Sequence, residues 1–197
     1  MDDRQQLLEI LARRSFRLGQ FQLSSGGTSD YYIDCRITTL DAEGARLTGQ
    51  VFLQALQPLQ PEAVGGLTMG ADPIVVSVAV QSAASGHPIN GFLVRKAEKA
   101  HGTGKRIEGT VRAGMRVAIV DDVCTTAAST ISAIEAAWQA ELDVVGVLCL
   151  VEREEADGQA RLHQLFRERL GRDCPFQAMF TARDVRAVHE RQLKENA

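Results

Sequence analysis

The fold is decided by one stretch of sequence, which reads Val117-Ala118-Ile119-Val120-Asp121-Asp122-Val123-Cys124-Thr125-Thr126-Ala127-Ala128-Ser129-Thr130. It begins with apolar residues that do not alternate with polar ones, which is typical of a strand buried on both faces of a parallel sheet. Two acids, a loop of small and hydroxyl residues, and a helix with an apolar face follow. We therefore predict a strand–loop–helix unit whose polar residues gather at the carboxyl end of the strand.

The flanking sequence repeats the same alternation. We predict strands at 63–68, 89–95, 117–121 and 142–151, and helices at 72–84 and 129–140. This order predicts an α/β fold with an open, mostly parallel sheet flanked by helices. The remaining predictions are helices at 2–14, 41–57 and 159–170, strands at 31–33 and 176–181, a turn-rich segment at 21–30, and a polar C-terminal helix.

Length and charge limit the class of protein. A chain of 197 residues favours a single domain, and its net charge of -3 gives no reason to expect nucleic acid or an anionic membrane as partner. The longest apolar run, 144–151, is far shorter than the roughly 18 residues that a membrane-spanning helix needs. The charged N-terminal residues lack the pattern of a secretory signal, so we expect a cytoplasmic protein.

The cysteines predict neither a zinc site nor a disulfide framework. Cys35, Cys124, Cys149 and Cys174 are widely spaced and include no Cys-x-x-Cys pair. We expect reduced thiols, most of them buried.

The loop after residue 122 has the features of a phosphate site. Backbone N–H groups and a helix N-terminus present positive partial charge, and Thr125, Thr126, Ser129 and Thr130 add hydroxyl donors. Asp121 and Asp122 would repel a phosphate, and they suit ribose hydroxyls or a magnesium ion instead. The plainer alternative is a solvated strand end followed by an ordinary helix cap. No Gly-Lys-Ser or Gly-Lys-Thr is present, which argues against a P-loop.

The stretch 117–130 resembles the phosphoribosyl pyrophosphate loop of the type I phosphoribosyltransferases. Residues 92–109 resemble the mobile catalytic loop of the orotate phosphoribosyltransferase family, and further matches lie at 21–26, 31–34, 65–73 and 151–154. The resemblance covers most of residues 16–184. It implies a type I phosphoribosyltransferase fold in one domain, 1–197, with a small N-terminal hood formed by about residues 1–40 and a mobile loop.

The resemblance also implies the reaction and the residues that bind the donor. Phosphoribosyl pyrophosphate would lose pyrophosphate at its anomeric carbon, and a ring nitrogen of orotate would attack. Lys99 would have the largest catalytic effect, together with Asp121 and Asp122. The donor-binding residues would be Arg95, Lys96, Lys99 and His101 at the pyrophosphate, Asp121 and Asp122 at the ribose, and Val123, Cys124, Thr125, Thr126, Ala127, Ala128 and Ser129 around the 5′-phosphate.

The same resemblance assigns the orotate site, the metal and the partners. Arg153 would bind the orotate carboxylate through paired hydrogen bonds, Tyr32 would lie against the pyrimidine ring, and Thr125 would contribute. A surface arginine and a core aromatic are the alternatives for Arg153 and Tyr32. Magnesium would arrive with the diphosphate, with no protein ligand assigned to it. The protein would be a homodimer whose lid closes over the neighbouring subunit's site, with no nucleic-acid or membrane partner.

The charge of residues 95–112 agrees with a lid. This segment contains six Lys or Arg residues and only two Glu residues, and several glycines interrupt it. Such a loop can close over a polyanion and exclude water, although a solvated basic hairpin is the plainer interpretation.

Three departures from the family pattern concern binding strength more than reaction type. Ser24 stands where many members carry a lysine, and some carry another lysine near Gly70. Ala127 and Ala128 stand where a glycine is common, so we expect the loop to avoid a positive φ there. Two other functions remain open: transfer to a different base, against which Arg153 argues, or a non-catalytic sensor of the donor, against which Lys99 and His101 argue.

Overall fold

The computed structural model describes residues 2–22, 27–97 and 106–195. Its elements, in chain order, are α1 (Asp3–Arg14), β1 (Phe16–Gln22), β2 (Thr28–Ile33), α2 (Arg36–Thr39), α3 (Ala42–Leu56), β3 (Ala63–Leu67), α4 (Asp72–Ala84), β4 (Asn90–Val94), β5 (Ile107–Gly109), β6 (Arg116–Cys124), α5 (Ala128–Gln139), β7 (Asp143–Glu152), α6 (Gly158–Leu170), β8 (Phe176–Thr181) and α7 (Ala182–Glu195), with a short 3₁₀ turn at Glu154–Ala156.

Six strands form the central sheet in the order β5-β4-β3-β6-β7-β8. All neighbours are parallel except β4 and β5, which are antiparallel. The predicted open, mostly parallel α/β sheet is therefore confirmed. Since β3, β6 and β7 run in one direction, their carboxyl ends lie at the same edge of the sheet.

Each face of the sheet is covered by a separate apolar cluster. Along β6, Ala118 and Val120 pack with α1, α3, α4 and α7, whereas Val117 and Ile119 pack with α5 and α6. This alternation explains the uninterrupted apolar run, because both faces of the strand are buried. All four cysteines lie within the described chain; they are buried and unbridged, as expected.

The second sheet is a two-stranded antiparallel hairpin of β1 and β2. The sequence predicted neither β1 nor the first half of β2, and assigned 21–30 to turns. Most side chains of β1 are exposed, so the strand lacks the buried alternating positions by which a strand is recognised.

The structure also corrects one strand boundary. We predicted that the strand ends at Asp121, but β6 continues to Cys124, because Val123 and Cys124 pair with Val151 and Glu152 of β7. Asp121 and Asp122 are thus strand residues. No helix in the described ranges has the combination of length and apolar character needed to cross a membrane.

Candidate active site

A cavity of about 1060 Å³ opens at the carboxyl ends of β3, β6 and β7. Its wall includes β2, from which Tyr32 was predicted, and the turn after β3, which lies within the predicted match at 65–73. The predicted site residues in its wall are Tyr32, Arg95, Lys96, Asp121, Asp122, Val123, Thr125, Thr126, Ser129 and Arg153. Lys99 and His101 fall outside the described residues, as does Ser24.

Asp121 is held by hydroxyl groups of the following helix. Its Oδ2 accepts hydrogen bonds from Ser129 Oγ and Thr130 Oγ1, both at 2.7 Å, and its Oδ1 accepts the N–H of Asp122 at 3.0 Å. Only 4% of the residue is exposed. Burial raises the pKa of its carboxyl, while the two hydroxyl donors act in the opposite direction. The carboxylate therefore fixes the first turn of α5 to the end of β6.

Asp122 has fewer donors and lies against the turn after β3. Its Oδ1 accepts the N–H of Val123 at 3.0 Å, and a Cβ atom on Gly70 would lie 2.3 Å from the same oxygen. A side chain at Gly70 would require the carboxylate of Asp122 to move. Burial, with the charge of Asp121 as the second cause, raises the pKa of Asp122 to about 6, and the guanidinium of Arg36 opposes this rise.

Arg36 is a cavity residue that the sequence analysis missed. Its Nε and Nη2 donate to the two carboxylate oxygens of Asp34, each at 2.9 Å, and the side chain lines the cavity. Hydrogen bonds from Arg36 lower the pKa of Asp34. The only sequence signal was a cation shortly after the Tyr31-Tyr32-Ile33 strand, and that position alone did not distinguish a site residue from a surface one.

The loop at 125–127 overturns our expectation about its backbone. Ala127 adopts a left-handed conformation, with φ +57° and ψ +15°, and is 98% buried as the residue before α5. A non-glycine residue in this region costs on the order of 1 kcal/mol, which the surrounding structure must offset. Cys124 and Ala127 are buried, and neither they nor Ala128 line the cavity wall, whereas Thr125, Thr126 and Ser129 do.

Arg153 is buried and already bound to the protein. Its Nε donates to the Tyr31 hydroxyl at 3.0 Å, its Nη2 donates to Ser29 Oγ at 3.0 Å, and both donate to Glu155 Oε1. The guanidinium also lies 4.4 Å above the ring of Tyr31. Nη1 makes no hydrogen bond to any residue that the structure describes. The surface-arginine alternative is wrong, since only 8% of Arg153 is exposed.

The two tyrosines have different roles in the structure. Tyr31 is buried, donates to Glu155, and has its pKa raised to about 12, chiefly by burial. Tyr32 is 43% exposed, lies beside Phe21 with ring centroids 5.5 Å apart, and lines the cavity. The core aromatic is therefore Tyr31, and Tyr32 is available to a ligand.

Residues 95–97 are the first residues of the predicted lid, and they lie within the part of the chain that the structure describes. Arg95 pairs with Glu108 of β5 at 3.4 Å, and its backbone exchanges hydrogen bonds with Arg106 on the other side of the loop. Arg95 and Lys96 both line the cavity. The base of the loop is thus closed by β4 and β5 at the cavity wall.

Comparison with known proteins gives a consistent family. No family model matches the chain. Orotate phosphoribosyltransferase of Streptomyces coelicolor is 44% identical over 158 residues, 80% of this chain and 87% of that protein. The enzyme of the same name from Thermosynechococcus vestitus is 40% identical over 191 residues, 96% of each chain. The crystal structure of Mycobacterium tuberculosis orotate phosphoribosyltransferase with 5-phospho-α-D-ribosyl 1-diphosphate has 30% identity and a TM-score of 0.75, covering 93% of this chain and 99% of that one. The chain belongs to the orotate phosphoribosyltransferase family.

Proposed function

We propose that the chain transfers the 5-phosphoribosyl group of phosphoribosyl pyrophosphate to orotate, giving orotidine 5′-monophosphate and pyrophosphate in pyrimidine biosynthesis. The observation that carries this proposal is one cavity with a hydroxyl loop and an acidic pair on one side and a buried arginine on the other. Family membership supports the same reaction.

The donor would bind along the carboxyl end of β6. The loop 125–129 and the N-terminus of α5 suit the 5′-phosphate, and the carboxylates of Asp121 and Asp122 suit the ribose hydroxyls. Ser129 already gives its hydroxyl proton to Asp121, so its contribution to the phosphate would be its backbone N–H. Cys124, Ala127 and Ala128 would likewise act through the backbone.

The pyrophosphate would bind at the base of the lid. Arg95 and Lys96 line the cavity there, and we propose that Lys99 and His101 of the same loop complete the cationic site. The bond between the anomeric carbon and the diphosphate breaks with its electron pair on the leaving group. Cations aimed at that developing charge supply the stabilisation that usually dominates such catalysis.

Magnesium would arrive with the diphosphate and neutralise part of its charge. Asp121 already accepts three hydrogen bonds, so the carboxylate pair suits ribose hydroxyls or metal-bound water better than direct coordination of the ion.

Orotate would bind between Tyr32, Thr125 and Arg153. Because the Nε and Nη2 atoms of Arg153 are already engaged, we propose that only Nη1 reaches the orotate carboxylate, instead of the paired hydrogen bonds expected from the sequence. Glu155 balances the charge of Arg153, so selection of an anionic base would rest on that one donor.

We further propose a cytoplasmic homodimer of single-domain chains, 1–197, with the hood formed by about residues 1–40. Its interface would be the α2–α4 surface, which consists of Ile37, Leu40, Met69, Val76 and Val80, all between 43% and 72% exposed. The opposite side of α4 is buried against the core, so the helix is apolar all round, as in a helix covered on both sides. Met69 also lines the cavity, so a partner on this surface would lie next to the site.

The first test is the ultraviolet change when purified protein meets magnesium, phosphoribosyl pyrophosphate and orotate, with adenine, hypoxanthine and uracil in parallel. We expect orotate consumption that needs both magnesium and the donor. Turnover of another base alone would overturn the choice of substrate, and donor binding without turnover of any base would favour the sensor.

Two variants test the residue roles in that assay. Lys99→Ala should lower kcat by orders of magnitude without changing the melting temperature. Arg153→Ala should chiefly raise the KM for orotate. An unchanged KM for orotate would remove Arg153 from the carboxylate site.

A further inference from the structure

The connection between β7 and α6 packs against residues 124–129, called the phosphate loop because they would bind the 5′-phosphate of the donor. The N–H of Arg153 donates to the carbonyl of Cys124 at 2.8 Å, and Arg161 Nη1 donates to the carbonyl of Thr126 at 2.6 Å. Between them, a Cβ atom on Gly158 would lie 2.4 Å from the carbonyl oxygen of Thr125. Residues 153–161 therefore contact three successive carbonyls of the loop.

These contacts set the direction of the loop's N–H groups. In a trans peptide the C=O and the N–H point in opposite directions, so carbonyls turned toward residues 153–161 leave the N–H groups of Thr125, Thr126 and Ala127 turned away from that segment. Thr125 and Thr126 line the cavity, and no described residue of 154–170 does, which is consistent with the N–H groups facing the cavity. None of these three N–H groups donates to a residue within the described ranges. Successive N–H groups that point the same way form an anion-binding concavity.

We propose that Arg161 and Gly158 are positioning residues for the 5′-phosphate, acting through the loop and not by touching the substrate. This inference rests on the proposed function. Arg161 donates to the carbonyl of the Thr126–Ala127 peptide, which polarises that peptide and makes the N–H of Ala127 a stronger donor. Gly158 acts by having no side chain, which lets α6 approach the loop at contact distance.

The backbone conformation of Ala127 explains why the loop needs this support. Its left-handed conformation is unfavourable for alanine, so the loop needs contacts from outside to stay in that shape. A charged donor on the carbonyl just before Ala127 is placed to supply one. Arg161 is exposed, so its contribution is the directional hydrogen bond and not the burial of a charge.

The test compares Arg161→Ala and Arg161→Lys with a matched control, Arg169→Ala, which removes an equally charged, exposed residue of α6. Calorimetry gives the Kd of inorganic phosphate, and steady-state kinetics give the KM of phosphoribosyl pyrophosphate and of orotate. We expect Arg161→Ala to raise the phosphate Kd and the donor KM about fivefold, a size typical of one hydrogen bond, with the orotate KM unchanged and the melting temperature lowered by no more than about 4 °C. Arg161→Lys should recover part of the loss, and Arg169→Ala should resemble wild type.

Gly158→Ala provides a second, steric probe, because the added methyl group and Thr125 cannot both stay in place. It should raise the donor KM more than Arg161→Ala does; if this variant fails to fold, the Arg161 pair decides. Equal phosphate Kd values for wild type and Arg161→Ala, or an orotate KM that rises in Arg161→Ala as much as the donor KM does, would overturn the inference while leaving the proposed function intact. Wild-type protein that turns over no orotate and binds no phosphate would instead overturn the proposed function and, with it, the inference.

Discussion

Asp121 and Asp122 are neighbours in sequence, yet their surroundings differ. Asp121 accepts two hydroxyl hydrogen bonds from α5, whereas Asp122 accepts one backbone N–H and lies against Gly70. Both carboxyls have raised pKa values, because burial disfavours the charged form of each, and the charge of Asp121 raises the pKa of Asp122 further. Two carboxyl groups are thus held close together, and in the proposed function both must be ionised to accept hydrogen bonds from the ribose hydroxyls.

The first prediction concerns the pH dependence of stability. Folding raises the pKa of Asp122 from its ordinary value of 3.8 to about 6, so the native state binds more protons than the unfolded state between those values. Stability must therefore fall as pH rises through this window, and the loss remains above it. We expect Asp122→Asn to melt at a higher temperature than wild type at pH 7.5, with a smaller difference at pH 4.5, in calorimetric scans without ligand. An Asp122→Asn protein that is less stable at pH 7.5 would contradict this account.

The residue types of the site were predictable from the sequence, but the partners of several residues were not. The acidic pair and the hydroxyl loop follow a recognisable pattern. Nothing local indicated that Ser129 and Thr130 donate to Asp121, or that Arg153 is held by Ser29 and Tyr31, more than 120 residues earlier. The left-handed Ala127 was wrongly excluded, since local preference alone ignores the support that the fold supplies.

At the scale of elements, a few side-chain hydrogen bonds join the hairpin of β1 and β2 to the rest of the molecule. Tyr31 of β2 donates to Glu155 of the 3₁₀ turn, and Asp30 accepts from Arg186 of α7 at 2.8 Å. The hydroxyl of Tyr31 also accepts from Arg153. The position of the hairpin and the orientation of the proposed orotate arginine therefore depend on the same hydroxyl group.

A double-mutant cycle on Tyr31→Phe and Glu155→Gln tests this dependence. The hydrogen bond is partly buried and involves a charged acceptor, so we expect Tyr31→Phe alone to lower the free energy of unfolding by about 1 kcal/mol. The same change in the Glu155→Gln background should cost clearly less, as urea unfolding will show. In the enzyme assay Tyr31→Phe should raise the KM for orotate more than that for the donor. Fully additive free energies would show that the two side chains do not interact.

Elements with a buried apolar pattern were predicted from the sequence, and exposed ones were not. Strands β3, β4, β6, β7 and β8 and the longer helices have such a pattern. The missed elements are β1, with mostly exposed side chains, and β5 and α2, which have only three and four residues. Strands β1 and β5 form because a neighbouring strand offers backbone partners, and α2 is a single helical turn, so no periodicity in their own sequence reveals these elements.

At the scale of the whole molecule, the strand order brings the parts of the cavity together. Because β3 and β7 both flank β6, the turn before α4, the phosphate loop and Arg153 meet at one edge although they are far apart in sequence. The α2–α4 surface begins at the same edge, since Met69 belongs to both. A homodimer through this surface would therefore place the lid of each subunit near the cavity of its partner.

Hybrid dimers test whether the lid acts across that interface. If Lys99 serves the partner's site, a dimer of one Lys99→Ala chain and one Asp122→Asn chain contains one site with both defects and one with neither. When equal amounts of the two inactive variants are mixed and exchange subunits at random, half of the dimers are hybrids, and each hybrid has one intact site of two. The mixture should therefore show about a quarter of wild-type kcat. A lid that serves its own subunit leaves one defect in every site, and the mixture then stays inactive.

The same surface gives the control for this experiment. Val80→Glu places a charge on the proposed apolar interface, so we expect sedimentation to change from twice the chain mass of 21.4 kDa to the single chain mass. Leu170→Glu adds the same charge at another exposed apolar residue, on α6, and should leave the dimer intact. Hybrids built on Val80→Glu should recover no activity, because the lid then has no partner site to reach. Recovery in that background would show that the dimer forms through a different surface, whereas a wild-type chain that sediments as a fully active monomer would place the lid over its own subunit.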